Sequence, residues 1–221
     1  MNRDDPLQFD LVVSAISGAR KRLMEAEWLR ANDAMQLLPY LASEANVRRL
    51  RLFLCGCFRV REQPKWAADR LGYDLAAVEL AEQWADGLID QAEVFASGVI
   101  RPHTINLFPN DGEIRHRAAE AVKRDPPYTT SVDEQVVRAN LLRDIFGNPF
   151  RPVKFDPTWR TDTAVLLAKG MYESRDFSAM PILADALQDA GCDNDDILNH
   201  CRDEKQTHVR GCWVVDLVLG K

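Results

Sequence analysis

The sequence predicts an all-α protein, an irregular array of about nine helices. Three observations lead there. Apolar residues recur three and four positions apart along nearly the whole chain, which is the period of a one-sided helix. Capping residues precede these stretches, and glycine or proline follows them. No alternating apolar and polar run of any length is present, as a half-buried strand would need. The one strand-like run is Trp213-Val214-Val215, and Trp213, Val214, Leu217 and Val218 also fit one face of a helix.

The elements follow in order. Ala26, Trp28 and Leu29 predict a short amphipathic helix over 25–32. Asp33 is placed to cap the next, which carries Leu37, Leu38 and Leu41. Residues 47–60 form a longer helix with Leu50, Leu54 and Cys57 on one side, Val47 and Phe53 nearby, and arginines around the rest. Residues 75–97 read as a helix that Gly87 kinks or Asp86-Gly87 divides, with Gly98 as its stop. Residues 99–111 hold Pro102 and Pro109 and read as a loop. A helix over 114–123 ends before Asp125-Pro126-Pro127. Ser131 and Glu134 form the S-x-x-E pattern of a capping box, opening a helix to Phe146 that Gly147 closes. Residues 150–157 contain two prolines and read as an extended linker. Thr158 or Thr161 starts a helix to about Tyr172. Pro181 lies in the first turn of another, over 179–190, and Gly191 lies past its end. Asn194 or Asp195 caps 197–202, and residues 209–219 form the last helix.

The predicted division is a segment 1–22 outside the helical body, a helical region 23–147, and a helical region 148–221 packed on it, the two forming one unit. Counts of 28 Lys+Arg and 34 Asp+Glu give −6, which argues against a general nucleic-acid binder. No window is apolar enough for a membrane span. The opening MNRDDPLQFD carries acid where a signal peptide needs basic and apolar residues. Five cysteines, an odd number, suit a reducing compartment, so a cytoplasmic location is expected.

A weak internal echo links Val47-Arg48-Arg49, Ile114-Arg115-His116 and Val209-Arg210-Gly211, each read as a helix opening. The pattern resembles the second helix of HEAT-type repeats, and 179–191 resembles a first helix, so HEAT-like pairs are one form the array takes. The openings lie 67 and 95 residues apart (47 to 114, 114 to 209), whereas a regular solenoid repeats every 40–47 or so. A broader likeness rests on LLRDIFGNPFRPV (141–153), Trp159, PILADALQDAGC (181–192) and HVRGCWVVDLVLGK (208–221). MEAEWLRANDAMQLLPYL (24–41) and RRLRLFLCGCFR (48–59) extend it. These segments resemble a family of uncharacterised proteins present in many copies in planctomycete bacteria. The resemblance implies a bacterial, cytoplasmic setting and supplies no chemistry.

The candidate metal ligands are Cys201, His208 and Cys212, because zinc takes thiolates and imidazoles in a tetrahedron. Cys192 or His200 is the expected fourth. The spacing matches no standard finger, and buried apolar thiols are the competing reading. Cys55 and Cys57 lie two apart on a helix and point to nearly opposite sides, so they make a poor metal pair. Residues 47–70 hold seven basic and two acidic residues with Phe53, Phe58 and Trp66 among them. This is a candidate nucleic-acid surface; the competing reading pairs the arginines with Glu79, Glu82 and Asp86. The acids of 192–198 lack the glycine and glutamate of a calcium loop and read as helix capping. No nucleotide, hydrolase or protease motif occurs, and no cofactor is expected except zinc at the C-terminal cluster. The sequence therefore predicts a non-enzymatic protein-protein interaction module with an unknown protein partner and no membrane. The alternative is a zinc-binding or nucleic-acid-binding protein using the Cys/His cluster or the basic helix 47–70. Phe146, Phe150 and Trp159 are expected to join the two helical regions, and Trp213 and Leu217 to pack on 182–187.

Overall fold

Short-range signals place the helices where the sequence predicts them. The computed structural model describes residues 20–41, 46–60, 75–98, 100, 107–122 and 132–221. Among these it is all-helical, with eleven helices and no strand. Helix α1 covers residues 20–30. It is followed by α2 (Ala34–Leu37), which tightens into a 3₁₀ turn (Leu38–Leu41), and by α3 (Val47–Arg59). Then come α4 (Leu75–Ala85), α5 (Gln91–Ala96), α6 (Ile114–Val122) and α7 (Val132–Phe146). After a 3₁₀ turn (Pro157–Trp159) the chain forms α8 (Asp162–Ser174), α9 (Met180–Asp189), α10 (Asp195–Arg202) and α11 (Trp213–Leu219).

Several starts have a side-chain acceptor for an otherwise unpaired amide, whereas those at Met180 and Trp213 have none. Asp33, Asn46, Thr161 and Asn194 accept from Met35, Arg49, Ala164 and Ile197. Asp90 and Glu93 form a reciprocal capping box on α5. Gly87, at φ +68°, sits in the turn that divides α4 from α5. Ser131 lies outside the described residues, as do Arg61, Glu62, Lys65, Trp66, Asp69 and Arg70 of the basic stretch.

Two apolar clusters form. The first gathers α1 to α7 around α3, through Trp28, Leu50, Phe53, Leu54, Leu142 and Ile145. The second gathers α8 to α11, through Ala168, Leu183, Leu187, Ile197, Val215 and Val218. Val209 breaks the chain order: it comes from the C-terminal part but packs in the first cluster. Helix α3 is buried on more than one side. Leu52, away from the Leu50–Leu54 face, presses against Gly211.

Four local expectations are corrected. The last helix begins at Trp213, not Val209. Gly211 at φ +98° leaves helical space, and a Cβ there would lie 2.8 Å from Leu52 Cδ1. Val209-Arg210-Gly211 is thus not a helix opening, and the echo with 47 and 114 fails at its third member. Helix α11 buries Val214, Val215 and Val218, while Trp213 and Leu217 are half-buried. Of the stretch 182–187 expected to receive them, Ile182 is 59% exposed, while Leu183 and Leu187 are buried in the cluster against which Trp213 packs. The linker aromatics separate rather than bridge. Phe146 and Phe150 pack with the first cluster, where Phe150 meets Tyr40 edge-on at 5.4 Å. Trp159 packs with the second, edge-on to Phe155 at 5.5 Å. Cys57, on the Leu50–Leu54 side of α3, is half-buried and packs against the first cluster, and Cys55, off that side, is fully buried.

Candidate metal centre

The centre lies where the two clusters meet, and three segments build it. Helix α7 presents Leu141, Leu142 and Ile145 to the core, and Asp144 shares that buried face, three residues from Leu141. Helix α10 offers His200. The segment 208–212 then runs extended and turned between α10 and α11. Its residues alternate in task. His208 and Cys212 face Asp144, Val209 enters the first cluster, and Arg210 reaches Asp86.

The four donor atoms of Asp144, His200, His208 and Cys212 all lie within 4.8 Å of one another. His208 Nδ1 is 2.8 Å and His200 Nε2 is 3.2 Å from Asp144 Oδ1. Cys212 Sγ is 3.3 Å from His200 Nε2 and 3.9 Å from His208 Nδ1. The Val209 amide donates to the other carboxylate oxygen at 2.9 Å, which fixes the carboxylate plane. Asp144 and Cys212 are fully buried. The imidazoles stand edge-to-face at 4.9 Å, with Trp213 against His200 and Phe177 against His208. Burial pushes the Asp144 carboxyl up, but the hydrogen bonds and charges of His200 and His208 together hold it below the usual range. Burial pushes the Cys212 thiol well up.

One feature separates the possible chemistries. In a nucleophile relay, one imidazole uses its two nitrogens on two partners, carboxylate on one side and thiol on the other. Here each ring uses a single nitrogen toward both. His200 Nε2 faces Asp144 and Cys212, and His208 Nδ1 faces the same two groups. Four donors converging on one point is the arrangement of a metal cage. Zinc bonds of about 2.0–2.3 Å at tetrahedral angles imply donor separations of about 3.3–3.8 Å. Four of the six separations, 2.8, 3.2, 3.3 and 3.9 Å, straddle that range, and all lie within 4.8 Å.

Of the predicted ligands, His208 and Cys212 come together, and His200 joins them. Cys201 is not in the cluster. Successive helical residues diverge by about 100°, so with His200 toward the seam Cys201 turns into the second apolar cluster. Its thiol is pushed up to about 12 by burial. Cys192 also lies in that cluster. Asp144 is the donor of the cluster that sequence reasoning missed. Its signal was an acid on the apolar face of the run LLRDIF.

A second polar assembly crosses the same seam. The side chains of Asp86 and Asp216 are both buried. Arg48 grips Asp216 through both terminal nitrogens, at 2.6 and 3.0 Å, and gives Nε to Asp86 at 2.9 Å. Tyr172 and Arg210 donate to Asp86, each at 2.7 Å. Glu82 receives Arg59 at 2.6 Å and Arg175 at 2.7 Å. Three of the four described arginines of the basic helix are thus committed: Arg48 and Arg59 pair with buried acids, and Arg51 lies on Trp84, 3.5 Å from the ring centre, and pairs with Asp111. Burial raises the Asp86 carboxyl, but Tyr172, Arg48 and Arg210 outweigh it and hold the group low.

No family model, curated protein or solved structure matches the chain. Among the described residues no helix is long and apolar enough to cross a membrane.

Proposed function

We propose that this chain is a non-enzymatic helical interaction module whose C-terminal part is locked in place by a structural zinc ion. Asp144, His200, His208 and Cys212 are the ligands. The observation carrying the reading is the convergence of four donor atoms, from α7, α10 and the 208–212 segment, on one buried point. The donor chemistry fits zinc. One thiolate and one carboxylate balance the dication, and two neutral imidazoles complete four coordination. Four protein ligands leave no open position for water or substrate, which is the mark of a structural site rather than a catalytic one. A thiolate ligand needs a reducing compartment, which favours a bacterial cytoplasm. Leu166 on α8 and Ile182 on α9 are large apolar side chains turned outward, and they support a protein partner on this unit.

Metal analysis of protein purified without chelator tests the site. One zinc per chain is expected, retained by Cys201→Ser and lost in Cys212→Ser and His200→Ala. Metal-free, fully folded protein that takes up no added zinc overturns the reading.

A further inference from the structure

A groove of about 220 Å³ runs beside the first turn of α3, along the turn after α7 and under α11. Its walls are largely apolar, with Phe146, Pro149, Trp213 and Leu217 among them. Arg151 and Asp196 stand at its rim, and each is already committed. Arg151 pairs with Glu25 and lies 3.7 Å from Asp196. Arg49 is different. It lines the groove and is half-buried. Its neighbours Arg48 and Arg51 both hold carboxylates, yet among the described residues its own guanidinium has no hydrogen-bond, ion-pair or ring partner.

A guanidinium without a protein partner leaves its N–H donors open to a ligand. The groove therefore holds one uncompensated positive charge beside an apolar wall. Arg49 also sits in the first turn of the thirteen-residue helix α3, so the positive end of the helix dipole adds to its field. The volume lies below the roughly 300–1,000 Å³ of pockets for drug-sized ligands, so a body of about one ring is what it accommodates.

We propose that this groove binds a small carboxylate with a flat apolar body. The carboxylate pairs with Arg49, and the body lies on Trp213 and Leu217. A guanidinium fork grips both oxygens of a carboxylate at once. The groove adjoins the metal centre: the Trp213 indole that walls it lies 5.1 Å from the His200 ring.

Calorimetric titration of the whole chain with phenylacetate, indole-3-acetate and benzoate tests the proposal. Saturable one-to-one binding of at least one acid is expected. Its uncharged amide should bind at least tenfold more weakly to the same wild-type protein, a comparison that needs no variant to fold. Arg49→Gln should weaken the acid at least tenfold, and Arg49→Lys by less, since lysine keeps the charge but not the fork. Shift changes in a proton–nitrogen spectrum should centre on the Trp213 indole. The proposal is overturned if none of the three acids saturates, if amide and acid bind alike, if Arg49→Gln binds like wild type, or if the shifts lie elsewhere.

Discussion

His208 Nδ1 lies 2.8 Å from Asp144 Oδ1, joining the end of α7 to the segment before α11 across 64 residues of chain. The contact crosses the boundary between two apolar clusters. Neighbouring Val209 and Arg210 cross it too, one by apolar packing and one by an ion pair. Within five residues, HVRGC, the chain thus combines a donor cluster, an apolar anchor and an ion pair across the seam, beside the Arg48–Asp216 and Arg175–Glu82 pairs.

Zinc linkage gives the first expectation. A ligand that binds only the folded state stabilises it by about 2.7 kcal/mol at a free concentration of 100 Kd. Wild-type protein should show that gain in denaturant titrations when zinc is added after chelator treatment. Cys212→Ser and His200→Ala should show none.

Asp86 sets a pH dependence. Its folded carboxyl is held below its ordinary value, so the unfolded state binds protons first as pH falls. The stability that Asp86 contributes is fully present above the unfolded carboxylate pKa of about 3.9 and is lost as pH drops through the lower folded value. Asp86→Asn leaves Arg48 and Arg210 without their shared anion and should cost about 3 kcal/mol at neutral pH. That deficit, read from urea midpoints, should stay flat from pH 7 to 5 and shrink below about 4.

Two ion pairs should behave unequally. Asp216 is fully buried and gripped twice by Arg48, whereas Asp185, paired with Arg202, has 71% of its side chain exposed. Asp216→Asn should cost about 3 kcal/mol, because a buried guanidinium loses its counter-charge. Asp185→Asn should cost less than about 1 kcal/mol, and that small effect should fade with salt. Equal losses would show that the buried network is not what secures the seam.

Gly211 and Gly191 offer a matched comparison. Both have left-handed backbones, at φ +98° and φ +92°. A Cβ at Gly191 meets nothing within 4 Å, while at Gly211 it strikes Leu52 at 2.8 Å. Gly191→Ala should cost the backbone strain alone, about 1 kcal/mol. Gly211→Ala adds overpacking against α3 and should reach about 3 kcal/mol. Thermal unfolding of the two variants measures the steric part by difference.

The helices were legible because their causes are local. Apolar spacing places α3, α7, α9 and α10 within one or two residues, and Asp33, Thr161, Asn194 and Gly147 mark boundaries through their own hydrogen bonds or backbone freedom. The same local rules failed over 208–212. Val209 and Arg210 suit a helix there, but contacts with α3, α7 and Asp86 hold the segment extended. Composition alone put His208 and Cys212 forward, because both residue types are metal donors. Asp144 and the exclusion of Cys201 depended on which face each helix turns to the seam. Helical phase follows from the sequence, but which buried face meets which is a property of packing between residues more than sixty positions apart. The same holds for Arg49. Its charge is written in the chain, yet its lack of a partner is decided only once Arg48 and Arg51 have found theirs in the folded protein.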